Sequence, residues 1–145
     1  MIGLVIISHG DLASSFVSVM ELIGGIQPNV KAISIQANNN NMEEQRGIVI
    51  SAIKEVDQGK GVILLTDLFG GTPSNLAISA LGIKNVEVIA GINLPMLLKL
   101  ISIRNHASLQ EAVNQAQQEG RKQIHIASTL LETQQSKSEI DSPSD

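Results

Sequence analysis

Gly61–Asn75 reads GVILLTDLFGGTPSN, and the order of residue types in it decides the fold. Val62–Thr66 is a short apolar run, the pattern of a strand buried on both faces. It stops at a carboxylate, Asp67, and turns through Gly70 and Gly71. Thr72 and Pro73 then open a helix, where the missing N–H of proline costs little because the first N–H groups of a helix have no intrahelical partner. A strand that passes through a glycine turn directly into a helix is the repeating unit of an α/β protein with a parallel sheet.

The same alternation extends to either side. Ile2–Ser8 is a second β-branched apolar run and ends at His9-Gly10. Leu12, Phe16, Val19 and Ile23 recur at helical spacing, and Gly24-Gly25 ends that helix. Val30–Ile35 is a weaker strand, interrupted by Lys31 and Ser34. Asn38–Asn41 is a polar, solvated loop whose last residue is expected to cap the next helix, with Glu43 and Glu44 in its first turn. That helix carries Ile48, Ile53 and Val56 and ends near Gly59. Beyond the opening stretch, Leu76–Leu81 reads as a compact helix and Val86–Ile92 as a fourth strand. Pro95 starts a helix running to Ile103 that is apolar nearly all round, which predicts burial, an oligomer interface being one way to achieve it. Ser108 caps a further helix bearing Leu109, Ala112, Val113 and Ala116, stopped by Gly120. Ile124–Ala127 reads as a short fifth strand, and the chain from Thr133 onward is polar and turn-rich, predicting a disordered tail or a linker stub. Residues 1–131 are thus expected to form one domain and 132–145 a tail.

Composition narrows the function. At 145 residues and 43% apolar content the chain has enough material for one real core. Two Phe and no Trp or Tyr make that core aliphatic and leave no aromatic platforms for single-stranded nucleic acid or a flavin. A net charge of −4 makes nucleic acid and anionic membrane poor partners. There is no Cys for disulfide, thiol or cysteine–metal chemistry, and no HExxH or paired His–carboxylate spacing, so no metal is expected. Neither GxxxxGK[ST] nor a GxGxxG after the first strand is present, so no nucleotide cofactor is expected either. The N-terminus runs straight into a strand without a basic leader, which predicts a cytoplasmic protein.

Four alternating strands predict a three-layer α/β fold in the order 2-1-3-4, with right-handed crossovers and helices on both faces. Ligands in such sheets sit beyond the carboxyl ends of the strands, at the crevice between strands one and three. His9 ends the first and Asp67 follows the third. A neutral imidazole can attack phosphorus or accept a proton, and a carboxylate on its other nitrogen would fix the tautomer. Taken alone, the two residues serve equally well as structural caps. Gly70, Gly71 and Thr72 at a helix start offer outward N–H groups and a hydroxyl to an anion such as a phosphoryl group, although a Gly-Gly turn is often only a turn. His106 falls in a loop and is expected to be solvated. His125, alternating with Ile124 and Ile126, is expected to be partly buried and structural.

SHGDLA after the opening strand, LTDLFGGTPSN in the middle and AGINLPML later resemble the IIA domain of the mannose family of the bacterial phosphoenolpyruvate-dependent phosphotransferase system, over about Met1 to Leu131. The resemblance implies a phosphocarrier. His9 would accept a phosphoryl group from phospho-HPr and pass it to a IIB component, with Asp67 in support. It also implies a homodimer in which a fifth, antiparallel strand, here Ile124–Ala127, is exchanged between subunits, and contact with the membrane only indirectly, through IIC and IID. Two readings remain beside transport: a stand-alone regulatory phosphoprotein, and the phosphoryl-donor subunit of a dihydroxyacetone kinase.

Overall fold

The structure, a computed structural model, describes residues 1–36 and 41–141. The elements run β1 (Gly3–His9), α1 (Leu12–Gly24), β2 (Val30–Ile35), α2 (Met42–Val56), β3 (Val62–Thr66), α3 (Thr72–Ile78), β4 (Val86–Ala90), α4 (Leu94–Ile103), α5 (Leu109–Lys122) and α6 (Ala127–Asp141). The four strands form one parallel sheet in the order β2-β1-β3-β4, as the alternation predicts. Side chains alternate across it. Leu4, Ile6, Ile63 and Leu65 enter a core closed by α1, α4 and α5. Val5, Ile7, Val62 and Leu64 enter a second core closed by α2 and α3. The two central strands are buried on both faces, which is why they read as continuous apolar runs.

Helix ends follow local chemistry. Asn41 accepts from the Glu44 N–H at 3.0 Å, the expected cap; the rest of its predicted loop, residues 38–40, lies outside the described residues. Asn93 gives the NLP motif its meaning. Its Oδ1 accepts from the Met96 N–H at 3.0 Å and its Nδ2 donates to the Gly120 carbonyl at 2.8 Å, so one side chain caps α4 and ties it to α5. Ser108 caps α5 as expected.

Four expectations are corrected. The stripe Leu12, Val19 and Ile23 of α1 faces outward, at 45, 40 and 59% exposure, while Ala13 and Met20 face the core. Helix α1 is apolar over two adjacent faces, and periodicity alone cannot say which one the sheet takes. Ile124–Ile126 forms no strand, and Ala127 already begins α6. A strand exists only through a ladder, and the segment pairs with no strand in the single chain. Ile124 and Ile126 are accordingly exposed, and so is His125, which meets only Gln123 Oε1 at 3.3 Å. Lastly, the predicted disordered tail continues α6 through Asp141. Its Glu, Gln and Lys residues are good helix formers, so backbone bonding needs no core there.

Arg104, absent from the sequence expectations, closes the far end of the sheet. Its side chain is 1% exposed, and its guanidinium donates to the Ile2 carbonyl at 2.9 Å, the Asn29 carbonyl at 2.9 Å and Gln27 Oε1 at 3.3 Å. The start of β1, the chain entering β2 and the end of α4 are thereby held together. Burial without a carboxylate pushes its pKa down to about 10. A cation whose folded value is depressed binds its proton less tightly when folded, so this term costs stability at neutral pH and is relieved only as pH rises through 10. The hydrogen bonds offset that cost. Arg104→Ala removes them, takes the guanidinium from the Ile2 carbonyl, leaves the Asn29 carbonyl with the Leu4 N–H alone and opens a cavity, and is expected to lower the unfolding free energy by about 2–4 kcal/mol in urea titrations at neutral pH. An unchanged midpoint would show that the bonds contribute nothing net.

Candidate functional site

The site forms where β1 and β3 end. Their register pairs Ile7 with Thr66, so the next residues on the two strands, including His9 and Asp67, leave the sheet side by side. His9 follows Val5 and Ile7 in alternation and emerges on the α2/α3 side of the sheet. There the Asp67 carboxylate meets it twice. Oδ2 accepts from the His9 backbone N–H at 2.9 Å and lies 2.7 Å from the ring Nδ1. Oδ1 accepts from the Leu68 N–H at 2.9 Å.

An ionised carboxylate only accepts hydrogen bonds, so this contact requires Nδ1 to carry the proton. Nε2 is left with its lone pair, on a side chain that is 52% exposed, whereas the Asp67 side chain is only 9% exposed. Burial pushes the Asp67 pKa up, but bonds from the His9 N–H, the His9 ring and the Leu68 N–H, with the nearby His9 charge, outweigh it and leave the carboxyl below its ordinary value.

Of the three phosphoryl-binding candidates, the structure brings Gly71 to the imidazole. A Cβ built on Gly71 would stand 3.4 Å from both Nε2 and Cε1 of His9. The backbone there, at φ +86°, also requires glycine. The Gly71 main chain therefore lines the approach to the open nitrogen. Gly70, at φ +97°, has open space where its Cβ would be, and Thr72 is half-buried at the first position of α3. His106 is exposed, as expected, and lies in the turn after α4, at the opposite end of the sheet with Arg104. Among the described residues no group of three or more His, Cys, Asp or Glu side chains is placed to hold a metal ion, and none of their helices is long and apolar enough to cross a membrane.

Sequence reading missed Ser8 and Ser34. Both hydroxyls turn to the Gly10 carbonyl, Ser34 at 2.6 Å and Ser8 at 3.3 Å, and Ser8 Oγ also accepts from the Ala13 N–H at 2.7 Å. The available signal was a polar residue at the end of each of two adjacent strands, one of them next to His9. Ser34 reads instead as an interruption.

The fold and the site define a doubly wound α/β protein with a carboxylate-oriented imidazole at its switch point. Residues 3–117 match the family model described as PTS system fructose IIA component, and the chain belongs to that family, the fructose–mannose–sorbose IIA components of the phosphotransferase system. It is 29% identical over 133 residues to the fructose-specific EIIA component of Bacillus subtilis, covering 91% of this chain and 90% of that one. It is 34% identical over 125 residues to the mannose-specific EIIAB component of Escherichia coli, covering 85% of this chain but 38% of that longer protein. The crystal structure of phosphotransferase system component EIIA from Streptococcus agalactiae superposes with a TM-score of 0.80 at 27% identity, covering 89% of this chain and 99% of that one.

A carboxyl with a depressed folded pKa stabilises the fold above its unfolded value, and that contribution is lost as pH falls through the folded one. Asp67→Asn is therefore expected to lower stability by about 1 kcal/mol near pH 6. The gap from the wild type should close as pH falls through the folded value, where the wild-type carboxyl is protonated too. Urea midpoints measured across this range decide it. A gap independent of pH would mean that the Asp67 charge is not what is stabilising.

Proposed function

We propose that this IIA component is a phosphohistidine carrier, with Nε2 of His9 accepting a phosphoryl group from phospho-HPr and passing it to a IIB component. The observation that carries the proposal is the 2.7 Å contact of Nδ1 with Asp67, which commits the ring to one tautomer and leaves Nε2 free and exposed. In the transfer, the Nε2 lone pair forms a bond to phosphorus as the phosphorus–nitrogen bond of the donor histidine breaks and its electron pair returns to the donor ring. The His9 ring becomes cationic, its Nδ1 proton stays in place, and Asp67 supplies the counter-charge. Delivery to IIB is the reverse displacement. Such a loose, in-line transfer needs positioning and charge stabilisation more than covalent help. The Gly71 main chain, with Gly70 and the Thr72 hydroxyl, would meet the equatorial oxygens, and an exposed imidazole suits an exchange between two protein surfaces.

Incubation with phosphoenolpyruvate, enzyme I and HPr is expected to place one acid-labile, alkali-stable phosphoryl group on His9. Label on His106 or His125 in the intact protein would refute the assignment. Asp67→Asn presents an amide nitrogen to the ring and removes the counter-charge. It should slow transfer roughly 10- to 1000-fold, or about 1.4–4 kcal/mol of barrier, with the fold retained by circular dichroism. The comparable change in a protease triad costs more, but there the Asp is buried and the His is a base. Equal rates would remove Asp67 from the mechanism.

We also propose that the protein works as a homodimer in which Ile124–Ala127 of each copy pairs with the free edge of β4 of the other. Three features support this reading. Strand β4 ends the sheet, a groove beside it is lined by Val88, Gly91, Val113 and Gly120, and Ile124 and Ile126 are exposed at 74 and 73%. Unpaired edges of this kind are normally covered. Sedimentation at micromolar concentration should give about twice 15.4 kDa. Deletion of Thr133–Asp145 should leave that value unchanged in subunit number, whereas Ile124→Asp with Ile126→Asp should yield monomer. A wild type that sediments only as monomer refutes the reading.

A further inference from the structure

We infer that Ser8 and Ser34 form a positioning pair that aims the His9 imidazole, acting through the Gly10 carbonyl. The inference deepens the phosphocarrier reading and rests on it for its kinetic arm alone.

The observations begin with the register. Ser8 and Ser34 are partners across the parallel pair β1/β2, so their side chains leave the sheet on one face, opposite to His9. Each hydroxyl has one proton to give. Ser34 Oγ donates to the Gly10 carbonyl at 2.6 Å and accepts from Gln36 Nε2 at 3.0 Å. Ser8 Oγ donates to the same carbonyl at 3.3 Å and accepts from the Ala13 N–H at 2.7 Å. Both hydroxyls thus spend their one proton on the same carbonyl, and each also accepts one hydrogen bond. The Gly10 N–H is bound as well, to the Ile35 carbonyl at 3.0 Å.

Gly10 needs such a lock. It sits at φ +53°, and nothing lies within 4 Å of where its Cβ would be, so no side-chain packing restricts its rotation. Asp67 fixes His9 from one side, through the backbone N–H and the ring. Without the two hydroxyls the Gly10–Asp11 peptide would be free to turn, and the residue after His9 would be held only by the bond from its N–H to the Ile35 carbonyl. Ser8 is fully buried, directly precedes His9 and reaches past it to the carbonyl of the next residue and the first turn of α1. The nucleophile is thereby bracketed, with Asp67 on one face of the sheet and the serine pair on the other. Loosening the bracket lets the ring leave Asp67 and populate the Nε2–H tautomer, which has no lone pair at the nitrogen facing the partner.

The test uses the full chain with Ser8→Ala, Ser34→Ala, the double variant and Ser8→Thr, the last of which keeps the hydroxyl. Long-range proton–nitrogen spectra report the His9 tautomer without any phosphoryl donor, and the rate of transfer from phospho-HPr reports function. The double variant should show a mixture of tautomers and transfer roughly tenfold more slowly, while Ser8→Thr should keep the wild-type tautomer and a rate within about twofold. A folded double variant with the wild-type tautomer overturns the inference, whatever its rate, and so does a mixed tautomer at an unchanged rate. Should the double variant not fold, Ser34→Ala alone decides, because Ser34 is exposed and carries no core packing. Failure of wild-type His9 to accept any label would refute the phosphocarrier reading, and the spectra would still decide the serine pair.

Discussion

The arrangement around His9 depends on one contact, the Asp67 carboxylate set 2.7 Å from Nδ1. The two residues are 58 positions apart in the chain and meet because β1 and β3 are adjacent and parallel, with Ile7 opposite Thr66. Two neighbouring strands that end at the same level deliver their next residues to one place. A carboxylate arriving there finds a backbone N–H and an imidazole N–H on the same neighbour and binds both with one oxygen. The geometry also selects the tautomer, because an acceptor-only partner at Nδ1 leaves the lone pair on Nε2. Everything chemically distinctive about the site follows from that choice.

Polar interactions are distributed unequally over the sheet, and the inequality separates stability from site. At the amino ends of the strands, the Arg104 guanidinium is buried among neutral oxygens and ties three segments together, with no route to solvent for its charge. At the carboxyl ends, His9 is half exposed, its ring meets the Asp67 carboxylate, and two serine hydroxyls hold the carbonyl of the residue that follows it. The aliphatic layers between the two ends transmit no charge. Arg104 thus ties buried segments together at one end of the sheet, whereas His9 stands half exposed at the other.

Much was legible in the sequence, for identifiable reasons. The two central strands read correctly because burial on both faces leaves no polar residue within Ile63–Leu65 or Val5–Ile7 to confuse the pattern. The caps at Asn41 and Ser108 read correctly because capping is a local hydrogen bond between a side chain and an N–H three residues on. His9 and Asp67 stood out because each ends a strand at the place where this topology opens. By contrast, Leu12, Val19 and Ile23 form a regular stripe that the core does not use, since Ala13 and Met20 offer it an equally regular one. Arg104 gave no signal and Ser34 read only as an interruption of a strand, because their partners lie in other segments.

The sequence by itself determined the order of the four sheet strands and of the five helices up to Lys122, the parallel sheet, the family and the two residues of the central pair, all of which rest on local pattern and on the chain's order. Only the tertiary structure decided which face of α1 is buried, that Gly71 rather than Gly70 borders the ring, that two serines share the Gly10 carbonyl, and that Ile124–Ile126 has no ladder in a single chain. Each of these is a relation between segments distant in sequence. A residue's own type and spacing carry no record of the atom it will meet, and a strand's pattern cannot say whether an edge is there to receive it.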